Sequence, residues 1–114
     1  MEQRLIDELR RATAPDRVLT SPEDLAVYSY DGTWLEHRPD VVVAAKSAAE
    51  VAGVLRIADR ERIPVVPRGG GSGLAGGSVP LGGGIVLSTT LMNRIIDIDT
   101  VDMVAVVEAG VVNA

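Results

Sequence analysis

Apolar and polar positions along the chain follow first a helical period, then the runs of a buried sheet. Leu5, Ile6 and Leu9 share one face of a helix predicted over residues 2–12, which Pro15 stops. Val18-Leu19 predicts a short strand. Ser21, Pro22, Glu23 and Asp24 form a helix start: a capping hydroxyl, a proline in the first turn and acids at the positive end of the dipole. That helix is expected to end near Tyr28, where a loop to Trp34 holds all the aromatics of the chain. Residues 41–45 are continuously apolar, as in a strand covered on both faces. Ser47 to Arg62 gives the clearest helix, with Ser47 and Glu50 spaced as a capping box and Ala48, Val51, Val54, Leu55 and Ala58 forming its stripe. Its solvated face is read as Arg56, Asp59, Arg60 and Glu61, and Gly53 costs it about 1 kcal/mol relative to alanine unless close packing needs it. A strand at residues 64–67 completes a β-α-β unit expected to be parallel and right-handed. Further strands are predicted at 84–87, 95–98 and 103–109, with a turn or short helix near 90–94. The last two strands must be antiparallel, because Asp99-Thr-Val-Asp102 leaves no room for a crossover.

Between two of these strands lies Pro67-Arg-Gly-Gly-Gly-Ser-Gly-Leu-Ala-Gly-Gly-Ser-Val-Pro-Leu-Gly-Gly-Gly84, which holds nine of the twelve glycines. Glycine loses the most backbone freedom on ordering, so such a cluster needs a cause. A flexible tether is one; an ordered loop lying close against a ligand is the other. Apolar strands pin both ends, which favours the ordered loop.

Composition narrows the classes. A chain of 114 residues, 46% hydrophobic and 3% aromatic with no phenylalanine, has room for one modest core of Val, Ile, Leu and Ala. A net charge of −5 argues against nucleic acid or an anionic membrane as partner. Without cysteine there is no disulfide, no thiolate site and no cysteinyl cofactor link, and the single His37, read as solvated, builds no metal centre alone. The amphipathic, charged N-terminus is no secretory signal. Residues 69–93 carry no charge, yet are too rich in glycine, serine and threonine to span a membrane. A soluble, cytoplasmic α/β domain is expected. The chain stops directly after an apolar strand, at Gly110-Val-Val-Asn-Ala114, and that ending reads as a cut.

Gly71-Ser-Gly-Leu-Ala-Gly76 matches the dinucleotide pattern G-x-G-x-x-G, with Asp97 about twenty residues on. The pattern requires a helix opening at the loop, and the glycines and Pro80 that follow forbid one. A Walker loop is also absent, since no lysine follows these glycines. What remains is an anion nest of converging backbone N–H groups, with the Ser72 and Ser78 hydroxyls beside it. A compact pyrophosphate suits such a nest. Arg68 adds charge from the rim, or is simply a surface arginine at a strand end.

The run from Pro67 to Pro80, then Ile85-Val-Leu-Ser and Leu91-Met-Asn-Arg-Ile95, resembles the PCMH-type FAD-binding domain of the vanillyl-alcohol oxidase superfamily. It is most similar to flavoproteins of D-2-hydroxy acids: the FAD subunit of glycolate oxidase, D-lactate dehydrogenase and D-2-hydroxyglutarate dehydrogenase. The similarity reaches upstream through Tyr30-Asp31, Val41–Lys46 and the capped helix, and downstream through Val107-Glu-Ala-Gly-Val111. Ala45 departs from it, standing where the family often has proline. The resemblance implies that Pro67, Arg68, Gly69, Gly70, Gly71, Ser72, Gly73 and Leu74 wrap the FAD pyrophosphate, with Gly77, Ser78 and Met92 near the cofactor. Asn93 and Arg94 either adjoin it or secure the turn. Members with covalent flavin carry a histidine in the glycine loop; Ser72 stands there in this chain, which implies non-covalent FAD.

The fold expected is therefore α/β (α+β): one FAD-binding domain fragment over 1–114. Residues 1–83 form an α/β subdomain carrying the loop 67–84, and an antiparallel subdomain begins over 84–114. Family members are several times longer, and their substrate and proton-abstracting residues lie beyond this chain, so no catalytic residue and no metal ligand is assigned. The function expected is part of a dehydrogenase or oxidase converting a small-molecule D-2-hydroxy acid to the 2-oxo acid. An electron acceptor or an iron–sulfur subunit is its implied partner, and the fragment is expected to be inactive alone. A stand-alone nucleotide-binding module and a ligand-free structural domain are the alternatives. The open edge of the antiparallel sheet favours self-association.

Overall fold

The computed structural model describes residues 1–74 and 76–112; Ala75 and the chain end at Asn113-Ala114 lie outside the described residues. Ten elements follow one another: α1 (Gln3–Ala12), a 3₁₀ turn (Pro15–Arg17), β1 (Val18–Leu19), α2 (Pro22–Val27), β2 (Val41–Ala44), α3 (Ala48–Glu61), β3 (Val65–Arg68), β4 (Ile85–Ser88), β5 (Ile95–Asp99) and β6 (Val104–Val107).

β1 to β4 form one sheet in the order β1-β2-β4-β3, and β5 and β6 a separate antiparallel pair. β4 runs parallel to both neighbours, Val41 and Val65 flanking Ile85. β1 closes the other edge antiparallel to β2. Alternation along the central strands explains their unbroken apolar runs. Val41, Val43, Ile85 and Leu87 meet Leu5 and Leu9 of α1 and Val54, Ile57 and Ala58 of α3. Val42 and Val86 point the other way, onto Leu25 of α2.

The mixed α/β class is as expected, and the placement of one strand is not. Strand 84–87 was expected to open the antiparallel subdomain; it sits in the middle of the parallel sheet instead. Four consecutive buried positions demand cover on both faces, which only the centre of the sheet offers. The boundary between the two sheets therefore falls after Ser88, not at residue 84.

Entry to that central seat depends on Gly84. Its φ is +79°, and a Cβ there would lie 2.3 Å from the Pro64 carbonyl oxygen. The Asp40 carboxylate accepts from the Gly84 amide at 2.8 Å, and the Asp40 amide donates to the Gly84 carbonyl at 2.9 Å. The strand is thus threaded between the starts of β2 and β3.

The helix termini follow their sequence signals. Ser47 accepts from the Glu50 amide at 3.2 Å, but the Glu50 carboxylate bonds the Lys46 amide at 2.8 Å and Arg17 rather than closing the box on residue 47. Gly53 faces α1, a Cβ there standing 3.4 Å from that of Ala12. β5 and β6 form a hairpin with a register shift between Ile95 and Asp97. Asp99 caps its turn by accepting from the Val101 and Asp102 amides. Ile95, Ile96, Ile98, Val104, Val106 and Val107 are all exposed on it. Among the described residues no helix is long and apolar enough to cross a membrane.

Candidate functional site

The chain leaves β3 at Arg68 and returns at Ile85, so both ends of the glycine loop are fixed by neighbouring strands of one sheet. The Thr89 amide donates to the Arg68 carbonyl at 2.9 Å, tying the exit of β4 to the start of the loop.

Segment 28–35 braces the loop from the side. The Gly32 amide donates to the Gly73 carbonyl at 2.9 Å, and Leu35 lies against Gly76. Asp31, 7% exposed, accepts from the Thr33 hydroxyl and amide through Oδ1. These bonds hold its carboxyl below the usual carboxylate range against the cost of burial, helped by the Gly76 amide and the Arg68 charge. Oδ2 makes no bond of hydrogen-bond geometry among the described residues, although the Gly76 amide faces the carboxylate.

Arg68 lies neither on the rim nor on the surface. It is 7% exposed, and its guanidinium packs over the Tyr28 ring, 5.4 Å from the centroid. Nη1 donates to the Tyr30 carbonyl at 2.6 Å. The same guanidinium lies under Gly71, whose φ is +74°; a Cβ there would overlap Nη2 at 2.1 Å. The Tyr28 ring and the Tyr30 carbonyl draw the arginine inward from an otherwise half-exposed edge strand, and it acts on the loop from beneath.

The loop encloses a cavity of about 250 Å3, with Gly69, Gly70 and Ser72 on one wall and Ala109, Gly110, Val111 and Val112 on the other. A larger apolar cleft of about 420 Å3 adjoins it across Ala109, lined by Val51, Leu55, Val65, Pro67 and Met92 among others. The expected cofactor residues therefore divide. Gly69, Gly70 and Ser72 reach the cavity; Gly71 and Gly73 hold the loop against Arg68 and Gly32; Pro67 and Met92 face the apolar cleft. Leu74, Gly77 and Ser78 lie farther along the loop, away from both, with Leu74 83% exposed. Asn93 and Arg94 stand in the turn before β5, where the Arg94 amide donates to Glu108.

Residues 109–111 belong to the sequence similarity, yet nothing in their sequence marks them as a cavity wall. Gly110 places them there: its amide donates to the Met92 carbonyl at 2.8 Å, and a Cβ would lie 1.8 Å from the Thr89 carbonyl oxygen. Only glycine lets this segment cross the 89–92 turn and reach the cavity.

Eight of the nine loop glycines fall into two kinds, Gly82 standing apart beside Pro64. Gly71, Gly76, Gly83 and Gly84 have positive φ, and the fold itself requires them. Gly69, Gly70, Gly73 and Gly77 do not, and a Cβ on any of the four would meet nothing within 4 Å. Among the described residues, neither a positive φ nor a packing contact requires glycine at these four. Gly69 and Gly70 line the cavity, where the bare main chain leaves room for a group to reach backbone donors, and the run 69–93 carries no charged side chain.

A family profile described as "FAD binding domain" matches residues 39–114. The chain belongs to this FAD-binding family. It is 37% identical over 93% of its length to the glycolate oxidase subunit GlcD of Bacillus subtilis (strain 168). Identity is 39% over 86% of the chain to D-lactate dehydrogenase of Anaerostipes hadrus, and 36% over 96% to D-2-hydroxyglutarate dehydrogenase of Stutzerimonas stutzeri (strain A1501). The chain spans 23%, 21% and 24% of those three proteins. Among solved structures, p-cresol methylhydroxylase with substrate bound superposes with a TM-score of 0.80 at 30% identity, over 95% of this chain and 22% of that one. The fold is thus a PCMH-type FAD-binding domain, the cofactor is FAD, and the chain is a flavoprotein domain related to FAD-linked oxidoreductases. Gly69 and Gly70 fit that cofactor, because a pyrophosphate needs an unobstructed main-chain wall.

Proposed function

We propose that the protein carrying this chain oxidises a D-2-hydroxy acid of the glycolate, D-lactate or D-2-hydroxyglutarate type to the 2-oxo acid. The observation that carries the proposal is the pairing of the open glycine wall with relatives whose names are those of such enzymes. Bound flavin supplies the two-electron chemistry, and electrons pass on to a second acceptor or an iron–sulfur subunit. This chain contributes binding and orientation. Amides and hydroxyls near Gly69, Gly70, Gly71, Ser72 and Gly73 take the pyrophosphate, the segment at Gly110 closes the opposite wall, and an apolar cleft adjoins it. With no cysteine in the chain and no histidine in the loop, this chain's share in holding the flavin is non-covalent. The groups that abstract a proton and recognise the carboxylate belong to other parts of the protein, so this chain is inactive by itself.

The test is reduction of a dye by the intact, flavin-loaded protein with each of the three acids. Turnover with one of them supports the reading; no turnover with any of them, flavin bound, removes the substrate class. The open edges of β5–β6 support a further reading, association with another strand. A monomer at high concentration on a sizing column contradicts it.

A further inference from the structure

We propose that Arg68 is the positioning residue of the pyrophosphate loop: from beneath Gly71 it fixes the loop's left-handed step and sets a buried positive charge behind the cavity wall. The proposal deepens the FAD reading above and rests on it.

Three observations carry it. The first is placement. The Arg68 guanidinium is held by the Tyr30 carbonyl through Nη1 and lies over the Tyr28 ring, and it does not line the cavity. It therefore acts on the cavity through the loop rather than as part of its wall. The second is contact. Nη2 occupies the space a Gly71 side chain would take, so the guanidinium bears on the loop midway between Gly70 and Ser72, two residues of the cavity wall. Whatever moves it moves the amides on either side. The third is electrostatic. A charge 7% exposed is poorly screened by solvent, so even with the Asp31 carboxylate offsetting part of it, an anion across the loop main chain feels it more than it would a surface arginine.

The brace at 28–33 serves the same end. Asp31 holds the turn that presents the Tyr30 carbonyl to Arg68 and the Gly32 amide to Gly73. A lysine cannot reproduce the fork, since it offers a point charge where the guanidinium bonds in one direction and stacks in another.

The experiment measures FAD affinity of the intact apoprotein by quenching of flavin fluorescence, ADP affinity by competition, and the ³¹P resonances of bound FAD. Arg68→Met is expected to weaken FAD and ADP alike by at least about tenfold. Arg68→Lys, the variant more certain to fold, keeps the charge and is expected to recover part of that loss with displaced ³¹P resonances. Gly71→Ala is expected to cost markedly less affinity in the Arg68→Met background than in the parent, because the methyl then finds room. Parent-like affinity and ³¹P resonances in Arg68→Lys and Arg68→Met overturn the proposal while leaving FAD binding intact. Strictly additive losses for the 68 and 71 substitutions also overturn it. Failure of the parent apoprotein to bind FAD or ADP overturns the functional reading and this proposal together.

Discussion

Replacing Gly70 by alanine separates the two purposes a glycine loop can serve. In the folded chain the added methyl meets nothing within 4 Å, and the residue's φ lies outside the left-handed region. Stability should therefore change by no more than about 0.5 kcal/mol, or rise by up to about 1 kcal/mol as the unfolded chain loses freedom. The ligand sees something else. Gly70 lines a cavity of about 250 Å3, where a methyl holds a phosphate oxygen away from the amides. Hydrogen bonds to a charged group contribute about 1.5–3 kcal/mol each, so losing one raises Kd roughly 10- to 100-fold. Thermal unfolding of the apoprotein and titration of FAD fluorescence read the two quantities independently. Parent-like affinity with parent-like stability would falsify the ligand account of the open glycines. A large fall in stability would instead show that the space beside Gly70 is filled.

Other substitutions probe the frame. Gly53→Ala should stabilise by about 0.5–1 kcal/mol, because its methyl meets Ala12 at ordinary contact distance; a lower denaturant midpoint would mean that α1 and α3 cannot accept it. Gly110→Ala should destabilise by about 2–3 kcal/mol and abolish tight FAD binding, since the methyl overlaps the Thr89 carbonyl; an unchanged melting curve would contradict the crossing. Glu50→Gln should cost about 2 kcal/mol near neutral pH by breaking the paired bonds to Arg17. Bonding to Arg17 lowers the Glu50 pKa from its ordinary 4.5, with the Lys46 amide and the neighbouring charges assisting against burial. Its stabilisation is therefore complete above about pH 4.5 and fades as pH falls through the folded value. The deficit of the Gln variant should shrink on acidification, and a deficit that stays constant would show that it does not come from the ionised Glu50–Arg17 pair.

Local chemistry was legible in the sequence, and spatial order was not. Ser21 and Ser47 announce their helices because a capping hydroxyl acts within three residues, and both accept the amides expected of them. Ile85–Ser88 announced a buried strand, but an apolar run is the same wherever its cover comes from. It carries no mark of lying between β2 and β3 rather than starting another sheet. The glycine density located the cavity's first wall. Its second wall was hidden because Gly110 is a lone glycine whose need arises from carbonyls some twenty residues upstream. Arg68 was legible as a charge beside the loop, on its rim or on the surface, but not as a buried one, because arginine is seldom buried. What buries it is a pair of aromatic and carbonyl partners from a loop 38 residues away.

The central position of β4 also bears on how the molecule comes into being. In the finished sheet β4 lies between β2 and β3, and it follows β3 only after the sixteen residues 69–84, so neither neighbour has its partner until that span has been made. Closing that span is entropically uphill until both flanks of β4 pair. Until then two facing strand edges stand open to other chains. A ligand that clasps the closed loop binds only the finished arrangement and draws the equilibrium toward it. Flavin supply should thus govern how much of the protein matures as well as how fast it works, and refolding yields that ignore added FAD would refute this. The strand that completes the sheet and the loop that receives the cofactor are consecutive, so assembly and loading become a single event.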